Sequence, residues 1–564
     1  MKIIYTPNRA WNSSPPILPD ELNYISLSGN NWDDYDTKTT LNAILVFNGI
    51  EYPIDFQLKI LISECDYTAK KLNELCQCGW NGVFPIPNVN YISLATNIDF
   101  YKGIQSRLNE DESINILLML RDAGYLVNVV KDDCAINLTM TSEFSSSLLR
   151  GSGGNKSYQD GWRLFVGQIS QIRDFTLRIL THDWQTKSIP FKFESNLLPY
   201  DINVLIGPNG IGKSFCLKSL VEYWLQTDMG DKESLDALGH IPFDTRPNID
   251  RLVLVSYSPF EEFNLGLSDD ANIFNKNVYR YFGFRQERSD GTIGISRNLP
   301  KLDASNSLID AIYDDEKYKN ESWWINKLST VERALKNALD FDYLAIKIDM
   351  DQAHGRLKTF PSIVGTENYF RLDSILPTYY DLDTFKTICQ LSDGIQFIKD
   401  NKVKSLSSGQ RLFTYIVINV VGSIREHSLI VIDEPELFLH PTLEIDFISL
   451  LKSVLKPFKS KAILATHSLA VVREVPASCV HIFRDEGRGL DIISPPFETF
   501  GGSFQRISSY VFGDKSISKP FDAWLESLVD KEPDTDKLIE SLGEEINEQL
   551  IMKILRLGRK NNGS

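Results

Sequence analysis

Ile202-Asn203-Val204-Leu205-Ile206-Gly207-Pro208-Asn209-Gly210-Ile211-Gly212-Lys213-Ser214 opens as an apolar run, breaks into a glycine-rich turn and ends on a lysine–serine pair. Five consecutive largely apolar residues suit a strand buried on both faces of a parallel sheet. The turn matches the G-x₄-G-K-[ST] phosphate-binding pattern. Glycines let backbone N–H groups converge on phosphate oxygens where a Cβ would obstruct them. The helix expected from about Lys213 offers its unpaired N–H groups, including that of Phe215, to the same anion. Lys213 supplies a point charge for β- and γ-phosphates, and the Ser214 hydroxyl suits Mg²⁺. Gly207, Pro208, Asn209, Gly210, Ile211, Gly212, Lys213, Ser214 and Phe215 are therefore the candidate nucleotide-binding residues.

Further along, Leu429-Ile430-Val431-Ile432-Asp433-Glu434 is an apolar strand ending in two acids. Uncompensated carboxylates at the end of a buried strand are costly, and a divalent cation removes that cost. Asp433 is the candidate holder of the metal's water shell, and Glu434 the candidate base that orients or deprotonates an attacking water. Leu406-Ser407-Ser408-Gly409-Gln410-Arg411 precedes an apolar helix expected over 412–424. Read alone, it is an ordinary helix N-cap; beside the other motifs it is a second anion site. Ala465-Thr466-His467-Ser468 closes another strand and places an imidazole at the sheet edge where α/β folds bind ligands.

Around these motifs the 564-residue chain divides into two regions, with residues 1–150 forming a small α/β domain and 158–564 a larger body. The glycine-serine run from Arg150 to Ser157 reads as the linker. Segment 228–401 reads as an insertion or helical lobe, with a helix expected over Ser329–Leu339, and 519–564 as a helical, acidic tail. Tyr279-Arg280-Tyr281-Phe282-Gly283-Phe284-Arg285 interleaves bases with aromatics, as nucleic-acid platforms do, but suits a half-buried strand better.

A formal charge of −16 argues against a broadly basic nucleic-acid binder, although it leaves a local basic groove open. Seven cysteines form no regular frame, which fits a reducing compartment. Cys76-Gln77-Cys78 supplies half a metal site without a second half. No segment approaches the roughly 20 apolar residues of a membrane span, and the first residues lack a secretory pattern, so a cytoplasmic location is expected.

The order P-loop, Leu-Ser-Ser-Gly-Gln, Asp-Glu, Thr-His-Ser over about 160–515 resembles the ABC ATPase superfamily. The resemblance implies an α/β fold: a RecA-like P-loop core with a mixed sheet, a helical signature lobe and a large insertion. It implies ATP and Mg²⁺ as ligands, with Ser214 and Asp433 toward the metal. It further implies a homodimer, open to assembly into higher oligomers, that sandwiches two nucleotides. Each would lie between Lys213 of one copy and Ser407, Ser408, Gly409 and Gln410 of the other, with Glu434 the catalytic carboxylate and His467 the switch histidine. Within the superfamily, Asp433-Glu434-Pro435-Glu436 followed by Leu439-His440-Pro441 resembles the OLD nuclease group and the ATPase subunits of Septu-type antiphage systems. Ser258-Pro259-Phe260, Thr499-Phe500-Gly501-Gly502-Ser503 and Tyr510-Val511-Phe512-Gly513-Asp514 point the same way.

Two departures stand out. No glutamine follows the strand before Ser258, so the metal contact that ABC proteins place there is unassigned. The residues after His467 leave no room for the Toprim nuclease of the OLD group, so cleavage is expected from a separate effector, a nuclease encoded nearby. A RecF- or SMC-like maintenance ATPase is the alternative; a transporter subunit and a purely structural nucleotide switch fit less well.

Overall fold

The computed structural model describes residues 1–7, 22–30, 37–52, 56–149, 152–166, 172–181, 183–195, 197–225, 230–265, 278–288, 290–320, 324–349, 362–364, 367–438, 441–485, 489–512, 520–532 and 534–561. These fall into two compact units, Met1–Gly502 and Ser503–Ser564. Leu439, His440, Gly513 and Asp514, which carry part of the OLD-like pattern, lie outside the described residues.

The first unit begins with a six-stranded sheet of β1 (Lys2–Thr6), β2 (Tyr24–Gly29), β3 (Thr40–Phe47), β4 (Ile50–Glu51), β5 (Gln57–Ile62) and β6 (Tyr91–Ala95). Its order is β1-β2-β3-β5-β6, with β4 paired to β3. The β1–β2 pair is parallel; the other pairs are antiparallel. Ile60, Leu94, Tyr101 and Leu117 are among its fully buried side chains. The glycine-serine run read as a linker is instead helical over Ser152–Asp160. Gly154 is required by close packing within it, because a Cβ there would strike the Leu148 carbonyl.

An antiparallel hairpin of β7 (Phe175–Leu180) and β8 (Thr186–Phe191) leads to β9 (Ile202–Ile206), all five residues of which are buried. β9 belongs to a seven-stranded sheet with β10 (Arg251–Ser256), β11 (Tyr279–Gly283), β19 (Ser428–Asp433), β20 (Lys461–Thr466), β21 (Val480–Asp485) and β22 (Leu490–Ile493). The order is β11-β10-β19-β20-β9-β21-β22. Only the β21–β22 pair is antiparallel, so the sheet is mixed. The aromatic-basic run is thus largely an edge strand, β11, rather than a platform standing apart from the sheet.

Between β11 and β19, β12 (Arg285–Glu287) and β13 (Ile293–Ile295) form a small ribbon. β14 (Tyr343–Lys347), β15 (Ser362–Val364), β16 (Glu367–Arg371), β17 (Gln396–Lys399) and β18 (Lys402–Val403) form an antiparallel sheet in the order β15-β16-β14-β17-β18. Helices Leu299–Tyr318, Lys327–Ala338 and Ser408–Ser423 make the helical lobe beside it. Asn326 caps the second of these by accepting from Ser329 N, so that it begins at Lys327, two residues before the expected start at Ser329. Part of the expected insertion is not an insertion: β10 and β11 lie within the core sheet. The glycine-turn strand β9, the carboxylate strand β19 one place removed from it and a separate helical lobe give the mixed α/β architecture expected from the sequence.

The second unit is helical, with Phe504–Phe512, Pro520–Lys531, Thr535–Leu542 and Glu548–Asn561. Leu525, Val529, Leu538 and Ile554 form its own small core. Among the described residues no helix is long and apolar enough to cross a membrane.

Candidate functional site

Parallel register gathers the sequence motifs at one sheet edge. Asp433 pairs with Ala465 across β19–β20, and Thr466 pairs with Ile206 across β20–β9. The turns after β9, β19 and β20 therefore open side by side at the carboxyl ends of their strands, where open α/β sheets bind ligands.

The Gly207–Gly212 turn uses its glycines for separate reasons. Gly207 lies so close to the Phe483 backbone carbonyl that a Cβ would collide with it. Gly210 and Gly212 have φ of 74° and 103°, which side chains strongly disfavour. The helix Lys213–Leu225 begins at once, its Cys216, Leu217 and Leu220 packed against the sheet.

Lys213 is buried, and its ammonium bends back over the turn, donating to the carbonyls of Gly207 (3.1 Å) and Pro208 (3.0 Å). It also lies 2.9 Å from His467 Nε2. Burial pulls the Lys213 ammonium below its ordinary range, against the opposing pull of Glu434, Asp433 and Glu436. Ser214 Oγ donates to Asp433 Oδ1 at 3.0 Å, joining the two candidate metal ligands although 219 positions separate them. Burial pushes the Asp433 carboxyl up from 3.8 to about 7, only partly offset by the Ser214 hydrogen bond. Such a carboxyl resists ionisation unless a cation joins it.

Glu434 sits half-buried at φ 49°, and its carboxyl is held below the usual range, first by His467 and then by the charge of Lys213. The His467 Nε2 to Glu434 Oε1 separation is 3.5 Å, longer than the Lys213 contact. An ammonium only donates, so Nε2 accepts from Lys213 and cannot at the same time donate to Glu434. The tautomer sets the role of the ring: with its proton on Nδ1, Nε2 accepts from Lys213, and with its proton on Nε2, it donates to Glu434.

Sequence reasoning missed Glu436. Its Oε1 accepts from the His467 backbone N–H, and its Oε2 is buried without a partner. Burial raises this carboxyl too. The signal was present as a third acid three residues after Asp433, but its inward direction comes only from the one-turn 3₁₀ segment Pro435–Phe438.

The serine-glycine segment stands elsewhere. Ser407 caps the helix Ser408–Ser423 in a reciprocal box, its Oγ accepting from Gln410 N and its own N–H donating to Gln410 Oε1. Ser407 and Ser408 are exposed, with Gly409 and Gln410 partly so. Among the described residues no hydrogen bond links this segment to the Gly207–Ser214 turn. Within one chain, then, the P-loop, Asp433, Glu434 and His467 converge, and Ser407–Gln410 do not join them.

The donor set fits a hydrated Mg²⁺ better than a metal caged by protein. Among the described residues no group of three His, Cys, Asp or Glu could hold an ion, which also leaves Cys76 and Cys78 without partners for a metal site. A cation here needs oxygens from phosphate and water beside Ser214 and Asp433.

The base of the sheet has its own buried charge cluster, tying the N-terminal layer to the helical lobe. Arg425, just past the Ser408–Ser423 helix, pairs with Asp99 at 3.0 Å. Lys102 reaches Glu426 at 3.2 Å, and Lys156 reaches Asp250 at 3.2 Å.

No family model matches the chain. Protein ea59 of Escherichia phage lambda is 24% identical over 475 residues, covering 81% of each chain. Two solved structures are also similar at low superposition. An SMC head bound to the C-terminal winged-helix domain of ScpA has TM-score 0.28 and 12% identity, covering 58% of this chain and 98% of that one. The ADP form of MJ1267, an ABC-transporter ATP-binding cassette, has TM-score 0.24 and 13% identity, covering 59% and 94%.

Proposed function

We propose that the chain binds ATP–Mg²⁺ and hydrolyses it in a site completed by the Ser407–Gln410 segment of a second copy. The observation that carries this reading is the split arrangement. Lys213, Ser214, Asp433, Glu434 and His467 meet at one edge, while an exposed anion-type helix start stands apart, with no hydrogen bond to them among the described residues.

Lys213 lies against His467 Nε2 at 2.9 Å. A γ-phosphate is the stronger partner for the ammonium, because charge-assisted pairs outweigh neutral ones. Drawing Lys213 onto phosphate frees His467 Nε2, which in its protonated tautomer donates to a γ-phosphate oxygen or to the attacking water. Glu434, ionised and next to the same imidazole, then orients and deprotonates that water. Mg²⁺ at Ser214 and Asp433 would neutralise charge on the β- and γ-phosphates. Contacts from the opposite copy's Ser407 and Gly409 would make the closed dimer depend on ATP, since a ligand shifts a conformational equilibrium only by its differential affinity.

Closure of this kind would license or restrain a separate effector, a nuclease, in the conflict between phage and host. The Asp433–Glu436 sequence and a phage-encoded relative support that context. Co-purification of the native complex followed by mass spectrometry tests it, and unchanged phage sensitivity on deletion would count against it. For the composite site, Ser407→Arg should leave ATP binding to the monomer intact and abolish turnover. A Ser407→Arg protein that hydrolyses at the wild-type rate refutes action across the interface.

A further inference from the structure

Ser256 ends β10 and lies in register with Asp433 on β19. Leu252 and Leu254 of β10 and Leu429 and Val431 of β19 pack in the same core cluster as Cys216, Leu217 and Leu220 of the P-loop helix. Side chains alternate along a strand, so Ser256 and Asp433 share that face, on neighbouring strands about 5 Å apart. Ser256 is fully buried, yet its hydroxyl has no hydrogen-bond partner. Ser214, beyond Asp433, does bond the carboxylate.

An unsatisfied buried hydroxyl is a standing cost, and one placed beside a carboxylate with a raised proton affinity is not explained by packing. Alanine or valine would fill the position without it. No glutamine stands in the residues directly after β10, Tyr257–Leu265, to reach a cation from this side.

We infer that Ser256 is a metal-positioning residue, its hydroxyl hydrogen-bonded to a water of the Mg²⁺ shell held by Asp433 and Ser214. A serine is too short to replace a glutamine at the ion itself, whereas Mg²⁺ characteristically keeps several waters that a short hydroxyl can reach. The inference rests on the proposed ATP–Mg²⁺ site and adds a residue to it.

The test measures binding of a fluorescent ATP analogue as a function of Mg²⁺ in a Glu434→Gln background, which suppresses turnover. Ser256→Ala should raise the Mg²⁺ concentration for half-maximal nucleotide binding by about tenfold, as expected for one lost hydrogen bond to a charged centre. Ser256→Thr should restore it, and nucleotide affinity in EDTA should stay unchanged. Melting of the metal-free protein should be unaffected or slightly higher in Ser256→Ala, because no existing hydrogen bond is lost. An unaltered Mg²⁺ midpoint in Ser256→Ala, with Asp433→Asn abolishing the Mg²⁺ dependence, overturns the role of Ser256 and leaves the site standing. A lower melting temperature with an unaltered midpoint assigns Ser256 to structure alone and also overturns the inference. Failure of Asp433→Asn to change the Mg²⁺ dependence removes the underlying site.

Discussion

Asp433→Asn should stabilise the nucleotide-free protein, which is an unusual expectation for the loss of a carboxylate from the proposed site. Burial raises the folded-state carboxyl from its ordinary 3.8 to about 7. The unfolded chain therefore releases the proton first as pH rises, and stability falls across that window and then levels off. At about 1.4 kcal/mol per tenfold change in proton affinity, the ionised carboxylate costs the fold up to ~4 kcal/mol at pH 8. Asparagine keeps an Oδ1 that accepts from Ser214 and carries no charge to desolvate. Scanning calorimetry in EDTA at pH 8 should show Asp433→Asn melting higher than wild type by on the order of 5 °C. By pH 5, where the wild-type carboxyl is largely protonated in the fold, the gap should narrow to about two-fifths. Saturating Mg²⁺–ATP should raise the wild type strongly and the variant little. Equal or lower melting of Asp433→Asn at pH 8, or a gap that does not shrink on acidification, refutes the claim that this carboxylate waits for a cation.

Three further outcomes follow from the same geometry. Glu434→Gln should retain ATP affinity, lose phosphate release and accumulate the closed dimer, visible by size-exclusion chromatography with ATP; wild-type turnover would dismiss Glu434 as the base. Lys213→Ala should weaken ATP binding on the order of 100-fold in a calorimetric titration, because it removes the charge held over the phosphate turn. Unchanged affinity would defeat the P-loop assignment. Arg425→Ala strands Asp99, whose side chain is only 6% exposed, and should lower unfolding stability by ~3 kcal/mol in a denaturant titration. A change below about 0.5 kcal/mol would mean that this pair does not tie the N-terminal layer to the lobe.

Local chemistry was legible where a motif carries its own geometry. The strand–turn–helix at Ile202–Leu225 follows from an apolar run, glycines with obligatory positive φ and a lysine–serine helix start. The capped start of Ser408–Ser423 follows from Ser407 and Gln410 three residues apart. Glycine and serine misled in the Arg150–Ser157 run, where Ser152–Asp160 is helical and Gly154 serves a close approach to the Leu148 carbonyl rather than flexibility. Residues 228–401 misled as an insertion, because strand content alone does not say which sheet β10 and β11 join.

What the sequence by itself determined was the chemistry: a phosphate turn, a carboxylate pair, a histidine after a strand and a serine-glycine helix start. Tertiary structure alone decided their company. Pairing β20 between β9 and β19 brings Ser214 to Asp433 and His467 to Lys213 across more than 200 positions, while leaving Ser407 outside. The Pro435–Phe438 turn points Glu436 inward, and the β10–β19 pairing sets Ser256 beside Asp433. Periodicity specifies which face of a strand is buried, but strand order and register arise from packing of the whole core, and those place one side chain against another.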